Sequence, residues 1–219
     1  MTLTDGTLVN YGTQTPVLTV TGAATIADGA TIGGTDTSSA MNFGSVTIAD
    51  GGTFIATSGT TKITGVSDGS GYCFKNLEGD GTGFVHNNGH LLFDPTSSDP
   101  TYISTGYSSL NDVTIDANAT GQIYYILGGG GNIVIDGNLD IIQGYYQQYT
   151  ATNTLTVHGN TYVRANAEWN DASAVGRAVP SGTQTHHGLV TIESGPQFDL
   201  GSGTNNFNGG IRNLGGTIN

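Results

Sequence analysis

The feature of this sequence that most constrains its fold is a short strand-and-turn phrase that recurs along the chain. In its clearest copy, the segment Ile133-Val134-Ile135-Asp136-Gly137-Asn138 leads directly into the apolar residues 139–142. An apolar, β-branched run is typical of a buried strand. The Asp-Gly-Asn core favours a bend, because glycine tolerates positive φ and short polar side chains bond to nearby backbone. The phrase therefore predicts a strand, a bend and a second strand.

Copies of the phrase begin at Leu18, Val46, Phe84, Val113, Ile133, Leu155 and Val190. The copies at Val113, Ile133 and Leu155 follow one another at intervals of about 20 residues, and the intervals between the other copies are longer. A repeat of this size is typical of one turn of a β-solenoid, in which neighbouring turns bury each other's apolar faces. The longer intervals indicate coils that carry loops. We predict an all-β, single-domain parallel β-helix (β-solenoid) with short polar turns, of roughly nine or ten coils and about 45 Å long.

The uniform texture of the chain favours one domain. We predict an N-terminal cap over residues 1–16, a solenoid over residues 17–215 and a C-terminal tail over residues 216–219, with insertions near residues 67–112 and 164–188. The alternation of the phrase places one set of side chains inside, stacked on their equivalents one coil away. The residues expected to point inward are Val113, Ile115, Ile133, Ile135, Leu155, Val157, Val190 and Ile192.

Composition narrows both the structural and the functional class. The 219 residues include 36 glycines, yet 36% of the chain is hydrophobic, which is too apolar for disorder. No segment of ten residues has helical periodicity, so we expect helix content near zero. The formal charge of −12, from 5 basic and 17 acidic residues, opposes binding to nucleic acid or to anionic lipid. We expect no membrane insertion, because no apolar run approaches transmembrane length.

The sequence holds few candidates for catalysis. Asp116, Asp136 and Glu193 follow strand ends in separate copies of the phrase and could line up as a ladder of acids, as glycan cleavage would need. A solvated corner is the alternative interpretation, and the scarcity of basic residues, 5 in the whole chain, argues against binding of an acidic polysaccharide. Cys73 is the only cysteine, which excludes an internal disulfide and favours a buried, inert thiol. We expect no enzymatic activity and no catalytic residue.

The sequence contains no regular residue pattern that indicates metal binding or ice binding. His86 and His90 lie close together in sequence, but they span a corner, and the adjacent His186 and His187 point to opposite faces if extended. Tandem Gly-Gly-x-Gly-x-Asp phrases of calcium-binding β-rolls are absent, and the Thr-x-Thr segments do not recur at one coil position. We therefore expect no metal site and no cofactor.

Aromatic residues are concentrated between residues 124 and 169. Stacking inside a solenoid would explain them. The alternative is a contact platform, because tyrosine offers a large area at low entropic cost and also forms hydrogen bonds. An insertion as long as residues 164–188 is often functional. We expect Tyr145, Tyr146, Tyr149 and Trp169 to lie at or near a subunit or partner contact.

The phrase, as in Ile133-Val134-Ile135-Asp136-Gly137-Asn138 and Leu155-Thr156-Val157-His158-Gly159-Asn160, resembles that of β-helical virion proteins of tailed bacteriophages: tail fibres, tailspikes and capsid-decorating proteins. It is also similar to passenger and adhesin β-helices of bacteria. The resemblance covers about residues 17 to 215 as a texture and matches no family motif, so no functional residue carries over. The start of the chain has no basic and apolar signal-peptide pattern, which favours the phage class.

The resemblance implies a non-enzymatic structural component of a virion exterior. Such a protein would act through subunit and surface contacts with other virion proteins, as a homotrimer by analogy with phage fibres. It would be assembled in the host cytoplasm and reside on the virion surface, with an extracellular location as the alternative. The alternative functions are a receptor- or glycan-binding tailspike, with or without glycan cleavage, and a bacterial adhesin.

Overall fold

A computed structural model describes residues 1–10, 17–34, 39–65, 71–95, 101–117, 125–126, 132–146, 154–169 and 182–219. None of these residues is helical, as predicted. The strands are β1 (Thr2–Leu3), β2 (Thr7–Asn10), β3 (Leu18–Ile26), β4 (Thr31–Gly34), β5 (Met41–Ile48), β6 (Thr53–Ile55), β7 (Thr60–Ile63), β8 (Tyr72–Asn76), β9 (Phe84–Val85), β10 (His90–Phe93), β11 (Tyr102–Ser104), β12 (Asp112–Asp116), β13 (Tyr125–Ile126), β14 (Ile133–Ile135), β15 (Leu139–Tyr146), β16 (Leu155–Val157), β17 (Thr161–Trp169), β18 (Gln184–His186), β19 (Val190–Ile192), β20 (Gln197–Phe198), β21 (Asn205–Phe207), β22 (Ile211–Asn213) and β23 (Thr217–Ile218).

Every pairing between these strands is parallel, and the strands form one 15-stranded sheet and two four-stranded sheets. The longest path through the large sheet is β1-β3-β5-β7-β10-β12-β15-β17-β19-β22, and the small sheets are β2-β4-β6-β9 and β14-β16-β18-β21. Neighbouring strands are far apart in sequence, since Leu139 pairs with Thr161 and Ile133 pairs with Leu155. The chain therefore returns to the same sheet at intervals close to the predicted repeat.

Long strands connect two parts of the large sheet. In β15 the first residues pair with β12, and the last two, Tyr145 and Tyr146, pair with β13. Register shifts fall between these two parts, at the irregularity between Ile141 and Gln143. Such an irregularity bends a strand, so one strand can border two sides of the core.

The core follows the alternation that the sequence predicted. All eight residues expected to point inward are buried, with at most 5% of their surface exposed. Ile133 pairs with Leu155, and Ile135 pairs with Val157, so these side chains stack as expected. Aromatic rings fill the interior further along, and Phe54 lies 5.5 Å from both Phe43 and Phe84, measured between ring centroids.

One part of the predicted repeat is wrong. Val113 and Ile133, which begin successive copies of the phrase, lie in different sheets: Val113 pairs with Leu139, whereas Ile133 pairs with Leu155. The interval from Val113 to Ile133 therefore does not measure one repeat. Strands in both sheets bury one face, so they share the same alternation of apolar residues, and the phrase alone cannot tell one sheet from the other.

Segments expected to be caps or loops contain paired strands. β1 and β2 pair with β3 and β4, and β23 pairs with β20. Strand β17 continues to Trp169, where its partner is Phe198, so the predicted insertion near residues 164–188 begins as regular sheet. Its middle part, residues 170–181, lies outside the described residues.

A ladder of amides holds the turn between β14 and β15 against the equivalent turns. The Oδ1 atom of Asn138 accepts a hydrogen bond from the backbone N–H of Asn160, and the Oδ1 atom of Asn160 accepts one from Leu189, both at 2.9 Å. On the other side, the carboxylate of Asp112 accepts the N–H of Asn138 at 2.7 Å. These side chains satisfy backbone donors that the turn leaves out of the sheet.

Glycine at these turns is required by close approach rather than by its backbone angle. A Cβ atom on Gly159 would lie 2.4 Å from the carbonyl oxygen of Gly137, and one on Gly188 would lie 2.3 Å from that of Gly159. Gly137, Gly159 and Gly188 do not have positive φ. The sequence had suggested positive φ as the reason for glycine at these turns, and that reason does not apply here. The stacking of one turn on the next leaves no room for a side chain.

Candidate functional site

The described residues form an open groove of about 370 Å³ on the outer face of the large sheet. Six of its seven lining residues come from four adjacent strands, β10, β12, β15 and β17, and Asn138 lies in the turn before β15. Apart from Val113, the strand residues face outward, at positions that alternate with buried core residues. We call it the sheet groove; it is lined by His90, Asp112, Val113, Thr114, Asn138, Asp140 and Tyr162. Val113 is buried, and the other six supply imidazole, carboxylate, hydroxyl, amide and phenol groups.

Hydrogen bonds within the protein orient several of these side chains. The Nε2 atom of His90 lies 2.8 Å from the hydroxyl of Thr114. The Oδ1 atom of Asp112 accepts both the backbone N–H and the side-chain amide of Asn138, at 2.7 and 3.2 Å. The Oδ2 atom of Asp112 has no partner in the described part of the chain. The groove therefore combines oriented side chains with a carboxylate oxygen that accepts no hydrogen bond from the other described residues.

A network of charges borders the groove. Arg164 donates to both carboxylate oxygens of Asp140 at 2.8 Å and to Glu193 at 3.1 Å. Hydrogen bonding to Asp140, opposed in part by desolvation and aided by Glu193, raises the pKa of the Arg164 guanidinium above its ordinary value. The same guanidinium lies 4.8 Å from the ring centroid of Tyr162, within the range of a cation–π contact.

The acids predicted as a possible ladder do not line up. Asp116 lies in β12, where its partner is Gln143, whereas Asp136 follows β14 in a small sheet, and Glu193 contacts Arg164. Asp136 is separated from the other two because β14 belongs to a different sheet, whereas Asp116 in β12 and Glu193 after β19 belong to the large sheet, with β15 and β17 between them. The acidic residue that does approach Glu193, through Arg164, is Asp140.

Histidines that are distant in sequence meet at the turn after β14. The Nε2 atom of His86 lies 3.5 Å from one oxygen of Asp136, and that of His158 lies 4.0 Å from the other. The rings of His158 and His187 stack with centroids 4.9 Å apart and planes 11° apart. Among the described residues, no group of three or more histidine, cysteine or acidic side chains has the arrangement of a metal site.

Two of the four predicted contact residues are buried. Tyr146 is 2% exposed and Trp169 is fully buried, and their rings stack with centroids 4.5 Å apart. Trp169 also stacks on Phe198 at 5.1 Å and donates from Nε1 to Gln184 at 3.0 Å. A partner could not touch either ring without opening the core, so interior stacking, the alternative interpretation from the sequence, accounts for both.

The other two predicted contact residues stay as predictions. Tyr145 takes its place in β15 opposite Glu168, but its side chain lies outside the described residues, as does the whole of Tyr149.

Desolvation raises the pKa of the buried Tyr146 hydroxyl above its ordinary range, and this hydroxyl has no hydrogen-bond partner among the described residues.

The adjacent histidines at the end of β18 have opposite environments. His187 is exposed, whereas His186 is fully buried, with its Nδ1 atom 2.8 Å from the hydroxyl of Thr161. The His186 ring stacks on Phe207 with centroids 5.3 Å apart and packs against Trp169. Burial lowers the pKa of His186 to about 4. Cys73 is likewise buried, as expected, with its Sγ atom 3.5 Å from the carbonyl oxygen of Tyr102.

Reasoning from the sequence missed the sheet groove. The available signal was that Thr114 and Asp140 each lie between two apolar residues, which marks them as outward-facing. His90 and Tyr162 each precede one apolar residue, which is a weaker form of the same signal. Their convergence depends on the pairing of β10, β12, β15 and β17, which the sequence alone does not give.

A scan against protein-family models, a search of curated proteins and a search of solved structures found no match to this chain. Within the described ranges, no helix is long and apolar enough to cross a membrane.

Proposed function

We propose that this chain is a single-domain β-solenoid that serves as a non-enzymatic structural component of a bacteriophage virion exterior, as capsid decoration or as part of a tail fibre or spike. The observation that carries the proposal is the parallel register, in which the chain returns to place each strand beside an earlier one, as where Leu155 pairs with Ile133. A chain that winds in this way buries its own core turn by turn.

The arrangement suits a load-bearing role. Strands in the middle of the sheets are hydrogen-bonded on both sides, and amide ladders tie successive turns together, as at Asn138 and Asn160. Contacts between residues distant in sequence dominate the packing, so local opening must break several pairings at once. The resemblance of the strand-and-turn phrase to those of phage fibres and decoration proteins supports the location on a virion.

Assembly is part of the proposal. By analogy with side-by-side β-helices of phage fibres, three copies associate on the particle, in contact with other virion proteins. Because Tyr146 and Trp169 are buried, this contact uses residues on the outer face of the sheets. Light scattering of the purified protein is expected to give the mass of a trimer, and a monomer at micromolar concentration would contradict a stable homotrimer.

The decisive experiment is localisation. Antibodies against the chain, applied to purified phage particles from the source material and viewed by electron microscopy, should label the exterior at one kind of site. Particles stripped of their tails provide the control that separates capsid decoration from a tail component. Purified particles that lack the chain would contradict the proposal.

A further inference from the structure

The sheet groove has the chemistry of a site for hydroxyl groups. Within about two strand spacings, or about 10 Å, it presents the Asp112 carboxylate, the Asn138 amide, the His90 imidazole and the Thr114 hydroxyl. Together these groups offer both donors and acceptors. A volume of about 370 Å³ lies at the lower end of the range for small-molecule sites.

We propose that the sheet groove binds an uncharged saccharide, with Tyr162 as its stacking platform. The inference rests on the proposed function only in requiring that this face of the protein is exposed on the assembled particle. It adds a ligand class to that function, because the groove then attaches the protein to a glycan-bearing surface.

Tyr162 is held in place for this role. Its ring is half-buried beside the groove, Arg164 lies 4.8 Å from the ring centroid, and its hydroxyl accepts the Asn160 amide at 3.3 Å. A ring fixed by two neighbours loses little conformational entropy when a ligand packs against it. Aromatic faces carry partial negative charge, which attracts the C–H groups on the apolar face of a sugar ring.

The hydroxyls of the same sugar would meet the polar side chains. The Oδ2 atom of Asp112 has no partner in the described part of the chain, and a carboxylate forms strong hydrogen bonds with hydroxyl donors. The Oδ1 atom of Asp112 is already engaged by Asn138, so the carboxylate is oriented before the ligand binds. Preorganisation of this kind reduces the entropic penalty of binding.

Charge decides which saccharide fits. The groove contains Asp112 and Asp140, and the guanidinium of Arg164 beside it is occupied by Asp140 and Glu193. With a net charge of −12 on the whole chain, uronates, sialosides and phosphates are repelled. An apolar peptide finds only the buried Val113 beneath the polar groups. An uncharged sugar remains as the ligand class that uses every group present.

The test is binding of the full chain to a printed array of neutral, uronate-bearing, sialylated and sulfated oligosaccharides, followed by calorimetric titration with the best neutral oligosaccharide. We expect neutral glycans to bind and acidic glycans not to bind. Tyr162→Ala should weaken neutral binding by at least tenfold, and Asp112→Asn should also weaken it. Tyr162→Phe, which keeps the ring, should retain binding within about threefold.

Tyr72→Ala is the matched control, since Tyr72 is also half-buried and lies beneath a cation, Lys75, at 4.9 Å, but outside the groove. Neutral binding should survive this change. The inference is overturned if the parent binds no neutral glycan, if it binds only acidic glycans, or if Tyr72→Ala and Tyr162→Ala lose binding equally. These results leave the localisation of the chain on particles unchanged, so the two proposals fail separately.

Discussion

Acid should destabilise this protein through His186. The side chain is fully buried between Trp169 and Phe207, and its Nε2 atom has no hydrogen-bond partner among the described residues. A proton added to the ring would leave a buried charge without compensation. Burial accordingly lowers the pKa from 6.5 to about 4.

The direction and size of the stability change follow from the difference between the pKa of His186 in the folded chain and its ordinary value. Above pH 6.5 the ring is neutral in both states, so its contribution to stability is fully present. Between pH 6.5 and about 4 the unfolded chain binds a proton that the folded chain rejects, so stability falls as pH falls. At about 1.4 kcal/mol per pH unit, the loss is about 2 kcal/mol at pH 5 and about 3 kcal/mol at pH 4.

The assay is equilibrium unfolding in urea, followed by circular dichroism at pH 7.5 and pH 5.0, where most carboxylates are still ionised. The parent and His187→Gln, the exposed neighbour, should lose about 2 kcal/mol between the two pH values. His186→Gln should lose much less, whatever its absolute stability. If His186→Gln does not fold, the same measurement is made on His186→Phe, which keeps an aromatic ring in the stack.

The reasoning would be refuted if the parent and both His186 variants lost the same stability between pH 7.5 and 5.0. Nuclear magnetic resonance of the histidine ring protons gives an independent check. The signal that disappears in His186→Gln should titrate near pH 4 in the parent. A midpoint above pH 6 for that signal would show that the ring is accessible to protons, contrary to its burial.

Further predictions concern the core, the turns and the overall secondary structure. Far-ultraviolet circular dichroism should show a β spectrum, and a strong helical signal at 222 nm would contradict the fold. Ile135→Asp should destabilise the protein by several kcal/mol because it buries an unpaired charge; a melting temperature within a degree or two of the parent's would show that Ile135 does not point inward. Trp169→Ala should lower the free energy of unfolding by about 3–5 kcal/mol through the cavity it leaves, and an unchanged value would contradict the buried aromatic stack. Gly188→Ala should be markedly less stable than the control Gly210→Ala, where an added Cβ meets nothing within 4 Å although φ is positive; equal stability would show that the turns can separate.

The alternation of apolar residues was sufficient to predict the burial of the eight core residues named from the strand-and-turn phrase. Ile133, Ile135, Leu155 and Val157 are inside because a strand sends successive side chains to opposite faces, and only one face of each strand is apolar. The parallel pairing was also predictable, since a long connection between paired strands, as between Ile135 and Leu155, leaves room for the chain to return in the same direction.

Register and environment depended on tertiary structure. Val113 and Ile133 begin copies of the same phrase, yet the length of the intervening chain and the available partners put them in different sheets. The same pairing closes the core over Tyr146 and Trp169, whose size and polar groups would equally suit a surface.

The sheet groove and the two histidines show most clearly which features the sequence alone could not predict. His186 and His187 are adjacent and chemically identical, and the pleat at the end of β18 alone makes one a buried base and the other an exposed ring. His90, Asp112, Asp140 and Tyr162 are far apart in sequence and meet only because four strands pair in register. Local sequence determines which face of its strand a residue occupies, because that depends on backbone geometry. Which residues become neighbours of that residue depends on long-range strand pairing, and many segments of the chain determine this pairing together.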